Sequence, residues 1–127
     1  MEKHKIVVVE DHILLSQAIA SLVDSFAEFE VLYTCKNGKE LLTNLKTPKN
    51  IPDIILMDVN MPIMNGWRFL DEFTKIETHK LITIYVVSSS IDPMDIKRVS
   101  NYKSVSNYII KPISMDALKN ISKEVLN

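Results

Sequence analysis

Four charged residues stand directly after short apolar runs. Glu10 and Asp11 follow Ile6-Val7-Val8-Val9, Asp58 follows Ile54-Ile55-Leu56-Met57, and Lys111 follows Tyr108-Ile109-Ile110. Clustered carboxylates repel one another unless one is protonated or a cation bridges them. Mg2+ takes oxygen ligands, uses one or two carboxylates, and fills its other positions with waters and phosphate oxygens. Glu10, Asp11 and Asp58 therefore read as a Mg2+ cradle with room for a phosphoryl group. A carboxylate can itself be the nucleophile and give an aspartyl-phosphate. Asp58, central among the strand ends, is best placed for that. Lys111 supplies a flexible point charge that pairs with Asp58 before transfer and with a phosphoryl oxygen afterwards. Ser88 ends another apolar run, Ile84-Tyr85-Val86-Val87, and its hydroxyl can donate to a further phosphoryl oxygen.

These side chains converge only if the runs are neighbouring strands of one sheet. Four apolar residues in a row suggest a strand buried on both faces, as in a parallel sheet. Strands are expected near 5–10, 29–35, 53–58, 81–88 and 106–110, and helices near 12–26, 37–47, 65–77, 92–103 and 114–126. Five βα units in a row imply a mostly parallel sheet with helices on both faces and right-handed crossovers. In the order 2-1-3-4-5, the crevice at the carboxyl ends lies between the first and third strands. Those strands carry Glu10-Asp11 and Asp58. Asn37, with Glu40 three residues on, reads as a capping box. Asn65-Gly66 opens the third helix, Asp92-Pro93 gives a cap and a first-position proline, and Ser114 caps the fifth. In the first helix, Leu14, Ala18, Leu22 and Phe26 with Leu15, Ile19 and Val23 form one broad apolar stripe. In the last, Met115, Leu118, Ile121 and Leu126 lie roughly on one face.

The bulk numbers narrow the classes. A chain of 127 residues with 46% hydrophobic content suits one domain, residues 1–127, with a proper core. Fifteen basic against 16 acidic residues argues against a dedicated nucleic-acid binder. No apolar stretch approaches the ~20 residues of a membrane span, and the start of the chain does not read as a signal peptide. The single Cys35 excludes an internal disulfide and fits a reducing, cytoplasmic compartment.

The chain resembles a response-regulator receiver domain, the phosphoacceptor module of two-component signalling. The resemblance covers essentially the whole chain. It rests on Val-Val-Val-Glu10-Asp11, Asp58-Val-Asn-Met-Pro-Ile-Met-Asn-Gly66, Ser88-Ser89 and Lys111-Pro112, all in order at strand ends. It implies a flavodoxin-like, doubly wound (βα)5 fold with a five-stranded parallel sheet of order 2-1-3-4-5. It also implies that Asp58 accepts a phosphoryl group from a histidine on a sensor kinase or a histidine phosphotransfer protein. Glu10, Asp11 and Asp58 would bind Mg2+ with the Asn60 backbone carbonyl. Ser88 and Lys111 would contact the phosphoryl group, Ser88 and Tyr108 would form the switch, and Ser89 and Ser90 would line the entrance. The output would be protein contacts through the fourth helix, fifth strand and fifth helix, including Ile96, Val99, Tyr102 and Tyr108. The expected protein is a stand-alone receiver, a monomer or a weak phosphorylation-dependent dimer, with no enzymatic output and no nucleic-acid or membrane partner.

Two departures from the family pattern stand out. Glu10 occupies a position where aspartate is more usual, and its extra methylene shifts the geometry or brings it to the metal through water. Ser88 replaces threonine, keeping the donor but losing the methyl group and its χ1 stiffness. One extra residue in the Ser89–Asp95 region would reshape the loop before the fourth helix. A phosphohydrolase with an aspartate nucleophile usually carries a second acid two residues on, where this chain has Asn60. A docking-only receiver conflicts with the complete set Asp11, Asp58, Ser88 and Lys111. Asp53 lies about 16 Å from Asp58 at ~3.3 Å per residue and is expected to be structural. His4, His12 and His79 are expected to be surface or packing residues, Trp67 a packing residue, and Asp71, Glu72 and Lys75 a solvated helix face.

Overall fold

A computed structural model describes residues 3–76 and 81–126, and of residues 125 and 126 only the backbone. His79 and the expected end of the third helix at residue 77 lie outside the described residues. The strands are β1 (His4–Val9), β2 (Phe29–Cys35), β3 (Ile54–Met57), β4 (Thr83–Ser88) and β5 (Val105–Ile110). The helices are α1 (Ile13–Asp24), α2 (Gly38–Asn44), α3 (Gly66–Phe73), α4 (Pro93–Arg98) and α5 (Met115–Leu126). Short 3-10 turns occupy Pro48–Asn50 and Val99–Asn101. All strand pairs are parallel and the order is β2-β1-β3-β4-β5. Among the described residues, no helix is long and apolar enough to cross a membrane.

Alternation along the central strands divides the core into two layers. Val7, Val9, Ile55, Met57, Ile84 and Val86 pack toward Leu41 of α2 and Trp67, Phe69, Leu70 and Phe73 of α3. Ile6, Val8, Ile54, Leu56, Tyr85 and Val87 pack toward Ile19 and Val23 of α1 and Leu118 and Ile121 of α5. Each fully buried aliphatic side chain contributes roughly 1.5–3 kcal/mol. A truncation such as Ile55→Ala would leave a cavity on the α2–α3 side at a cost of about 2–5 kcal/mol.

Local capping sets the helix starts. Asn37, Asn65, Asp92 and Ser114 accept main-chain bonds from Glu40, Arg68, Met94 and Ala117 at 2.9–3.1 Å. Glu40 reaches back to the N–H of Lys36, not to that of Asn37, so the expected capping box is only half formed.

Three expectations need correction. In α1, Leu14 is 72% exposed and Ala18 is also exposed. The buried face runs instead through Leu15, Ser16, Ile19, Leu22 and Val23, because the sheet meets the helix one position later. The fourth helix stops at Arg98, since Val99-Ser100-Asn101 are poor helix formers and tighten into a 3-10 turn. Val99 and Tyr102 turn partly inward onto the core, leaving Ile91, Met94 and Ile96 as the exposed apolar residues in and beside α4. Trp67 packs as expected, stacked on Tyr102 with the Arg98 guanidinium 4.4 Å from its ring centroid. Asp71 accepts from Tyr102 Oη at 2.7 Å, and Asp53 accepts from the Lys5 N–H at 2.7 Å.

Candidate functional site

Parallel register brings the strand ends together. Val9 is paired with Met57, so Glu10 and Asp58 emerge side by side, and the Asp58 N–H donates to the Val9 carbonyl at 3.0 Å. Across the sheet Ser88 is paired with Ile110, and the Lys111 N–H donates to the Ser88 carbonyl at 2.8 Å. Lys111 therefore begins where β5 leaves the sheet. The peptide bond between it and Pro112 is cis.

The Lys111 ammonium bridges two buried carboxylates. Its Nζ lies 2.5 Å from Glu10 Oε1 and 3.0 Å from Asp58 Oδ2. Glu10 also accepts from the His12 N–H at 3.2 Å, and Asp58 accepts from the Asn60 N–H at 3.1 Å. Burial pushes the Glu10 carboxyl above its ordinary pKa, and the bond from Lys111 opposes this without cancelling it. Burial alone would lower the pKa of Lys111, but its bonds to Glu10 and Asp58 outweigh burial and hold it above the ordinary value.

Asp11 is exposed, yet one of its oxygens joins those of Glu10 and Asp58 in a group lying within 4.8 Å of one another. Two ligands of one Mg2+ at ~2.1 Å stand at most about 4.2 Å apart. This donor set therefore suits an ion that retains waters, with small closure of the carboxylates. Ser88 is fully buried at the end of β4 and its Oγ accepts from the Ser90 N–H at 3.2 Å. Ser89 is exposed and Ser90 half-buried. Tyr108 is half-buried and its hydroxyl donates to the Ser90 carbonyl at 2.9 Å.

Several supporting residues lay beyond the sequence reading. His12 is the N-cap of α1, its Nδ1 accepting from the Leu15 N–H at 3.3 Å while its own N–H holds Glu10. His12 is exposed, in keeping with the surface reading, and its capping role is additional, since histidine is an unusual cap. A Cβ on Gly66 would stand 2.7 Å from Val59 Cα and 2.9 Å from the Asp58 carbonyl oxygen, so only glycine lets α3 close against the Asp58 loop. Within that loop Ile63 adopts φ 66°, a left-handed conformation that β-branched residues rarely occupy, with its side chain 74% exposed.

The family model "Response regulator receiver domain" matches residues 6–123. A protein-glutamate methylesterase/protein-glutamine glutaminase of Clostridium acetobutylicum is 34% identical over 114 residues, covering 88% of this chain and 32% of that protein. This chain thus spans about a third of the length of that relative. The crystal structure of a two-component response regulator from Cytophaga hutchinsonii superposes with a TM-score of 0.89 at 25% identity, over 99% of both chains. The phosphorylated cyanobacterial phytochrome response regulator RcpA superposes with a TM-score of 0.77 at 30% identity, over 98% of this chain and 91% of that one.

Proposed function

The chain belongs to the response-regulator receiver family of two-component signalling, and from that premise we propose that Asp58 is its phosphoacceptor. The observation that carries this is the position of Asp58. It is buried at the end of β3, bonded to Lys111 at 3.0 Å, and grouped with oxygens of Glu10 and Asp11. In the transfer, an Asp58 oxygen forms a bond to phosphorus while the bond from phosphorus to a partner's imidazole nitrogen breaks. The electron pair leaves with the imidazole, which takes up a proton. Mg2+ held by Glu10, Asp11, Asp58 and the Asn60 carbonyl would offset charge on the phosphoryl oxygens.

The chain's own groups do the rest. Lys111 keeps its proton and offers its ammonium to a phosphoryl oxygen. Ser88 receives the Ser90 N–H in a lone pair and so has its own O–H free to donate. Phosphorylation adds roughly −1.5 to −2 charge and three acceptors, which draws Ser88 and Lys111 inward and biases the loop that Tyr108 grips. The donor is a phosphohistidine on a sensor kinase or phosphotransfer protein.

The readout is a protein contact over α4, β5 and α5, where Ile91, Met94, Ile96, Ile110 and Met115 are exposed. Residues 1–127 act as one receiver domain in the cytoplasm, without catalytic output of their own. Acetyl phosphate with Mg2+ is expected to retard the wild type on a phosphate-affinity gel and to leave Asp58→Asn unshifted. No shift in the wild type, or an equal shift in the variant, refutes the assignment.

A further inference from the structure

Ser90 ties together groups from three elements. Its N–H donates to Ser88 Oγ at 3.2 Å and its carbonyl accepts from Tyr108 Oη at 2.9 Å. Its hydroxyl accepts from the Asp92 N–H at 3.3 Å and donates to Asp95 Oδ2 at 2.7 Å. The bond to Asp95 is the shortest of the four, as expected for a hydroxyl donating to a carboxylate. Capping of α4 does not call on Asp95, because Asp92 Oδ1 already accepts from the Met94 N–H at 2.9 Å. The Asp95 carboxylate turns back out of the helix onto the loop that follows β4. At the other end of the same short helix, Arg98 lies over the Trp67 ring.

We infer that Asp95 is a positioning residue: acting through Ser90, it sets the Ser88 hydroxyl and couples it to α4. The inference rests on Asp58 being the phosphoacceptor. Movement of Ser88 toward a phosphoryl oxygen pulls on the Ser90 N–H. With Ser90 Oγ anchored on Asp95, that pull reaches the first turn of α4. Without the anchor the loop yields locally and α4 keeps its place. The test reads the coupling between Ser88 and α4 directly.

Trp67 is the single tryptophan and reports on α4 through Arg98. The full chain and its Asp95→Ala and Asp95→Asn variants are treated with acetyl phosphate and Mg2+. Tryptophan fluorescence is compared at equal phosphorylated fraction, read from a phosphate-affinity gel. Asp95→Ala is expected to lose more than half of the fluorescence response. Asp95→Asn is expected to keep it, because its amide oxygen still accepts from Ser90 Oγ. A second arm needs no phosphorylation: the Ser90 amide should exchange with solvent about tenfold faster in Asp95→Ala than in the wild type, and Asp95→Asn should match the wild type. A full fluorescence response in Asp95→Ala, or unchanged Ser90 exchange, overturns the inference. A wild type that gives no gel shift counts against Asp58 as phosphoacceptor, and the exchange arm then decides the Asp95 anchor by itself.

Discussion

Replacing Lys111 with methionine removes the ammonium that bridges Glu10 and Asp58 and keeps most of the side chain's length. Those carboxylates are only 3% and 8% exposed, so water replaces little of what is lost. At an effective dielectric of ~20, opposite charges about 3 Å apart attract by roughly 5–6 kcal/mol. Desolvation offsets part of that attraction, and breaking a buried pair costs about 3–5 kcal/mol. Protonation of Glu10 sets a ceiling. Neutralising a carboxyl of ordinary pKa ~4.3 at pH 7 costs about 2.7 units at ~1.36 kcal/mol each, or about 4 kcal/mol, and at pH 5 only about 1 kcal/mol.

The sign follows from the raised pKa of Glu10, which burial already pushes upward. A carboxyl that binds its proton more tightly when folded favours the folded state at low pH. That contribution is lost as pH climbs from the unfolded to the folded pKa. Urea denaturation in chelator is therefore expected to show Lys111→Met below the wild type by about 1 kcal/mol at pH 5 and by up to about 4 kcal/mol at pH 7. Adding Glu10→Gln to Lys111→Met should recover most of the deficit at pH 7. A deficit equal at the two pH values, or a double variant no more stable than the single one, refutes the reasoning.

The loop after β3 yields two further expectations. Gly66→Ala forces a Cβ against the backbone of Val59 and Asp58, which cannot rotate away, and should destabilise by about 1–3 kcal/mol in denaturant titration while slowing phosphorylation by acetyl phosphate. Ile63→Gly relieves a left-handed φ at a side chain that buries little, and should raise stability by about 0.5–1 kcal/mol in thermal unfolding.

Much of this architecture is legible in the residue order. The runs ending at Val9, Met57 and Ser88 are apolar on both faces because each strand is covered by helices on both sides, so their ends mark where Glu10, Asp58 and Ser88 leave the sheet. Caps at Asn37, Asn65, Asp92 and Ser114 are local and readable for the same reason. The orientation of α1 was not legible: Leu14 and Leu15 are equally apolar, and only contact with the sheet selects the row through Leu15 and Ile19. Nor was the partner of Glu10, since its bond to Lys111 spans 101 positions and depends on the assembled strand order. The Ser90–Asp95 bond is five residues long and still escaped notice, because a serine among three serines carries no signal until the loop geometry is fixed.

The span between Glu10 and Lys111 bears on biosynthesis. A ribosome adding ~5–20 residues per second needs several seconds to go from Asp58 to Lys111. During that interval the nascent chain carries its acidic residues without the ammonium that neutralises them, and β4 is completed before β5 is made. The complete Glu10–Lys111–Asp58 arrangement can therefore form only after β5 and Lys111 have been made.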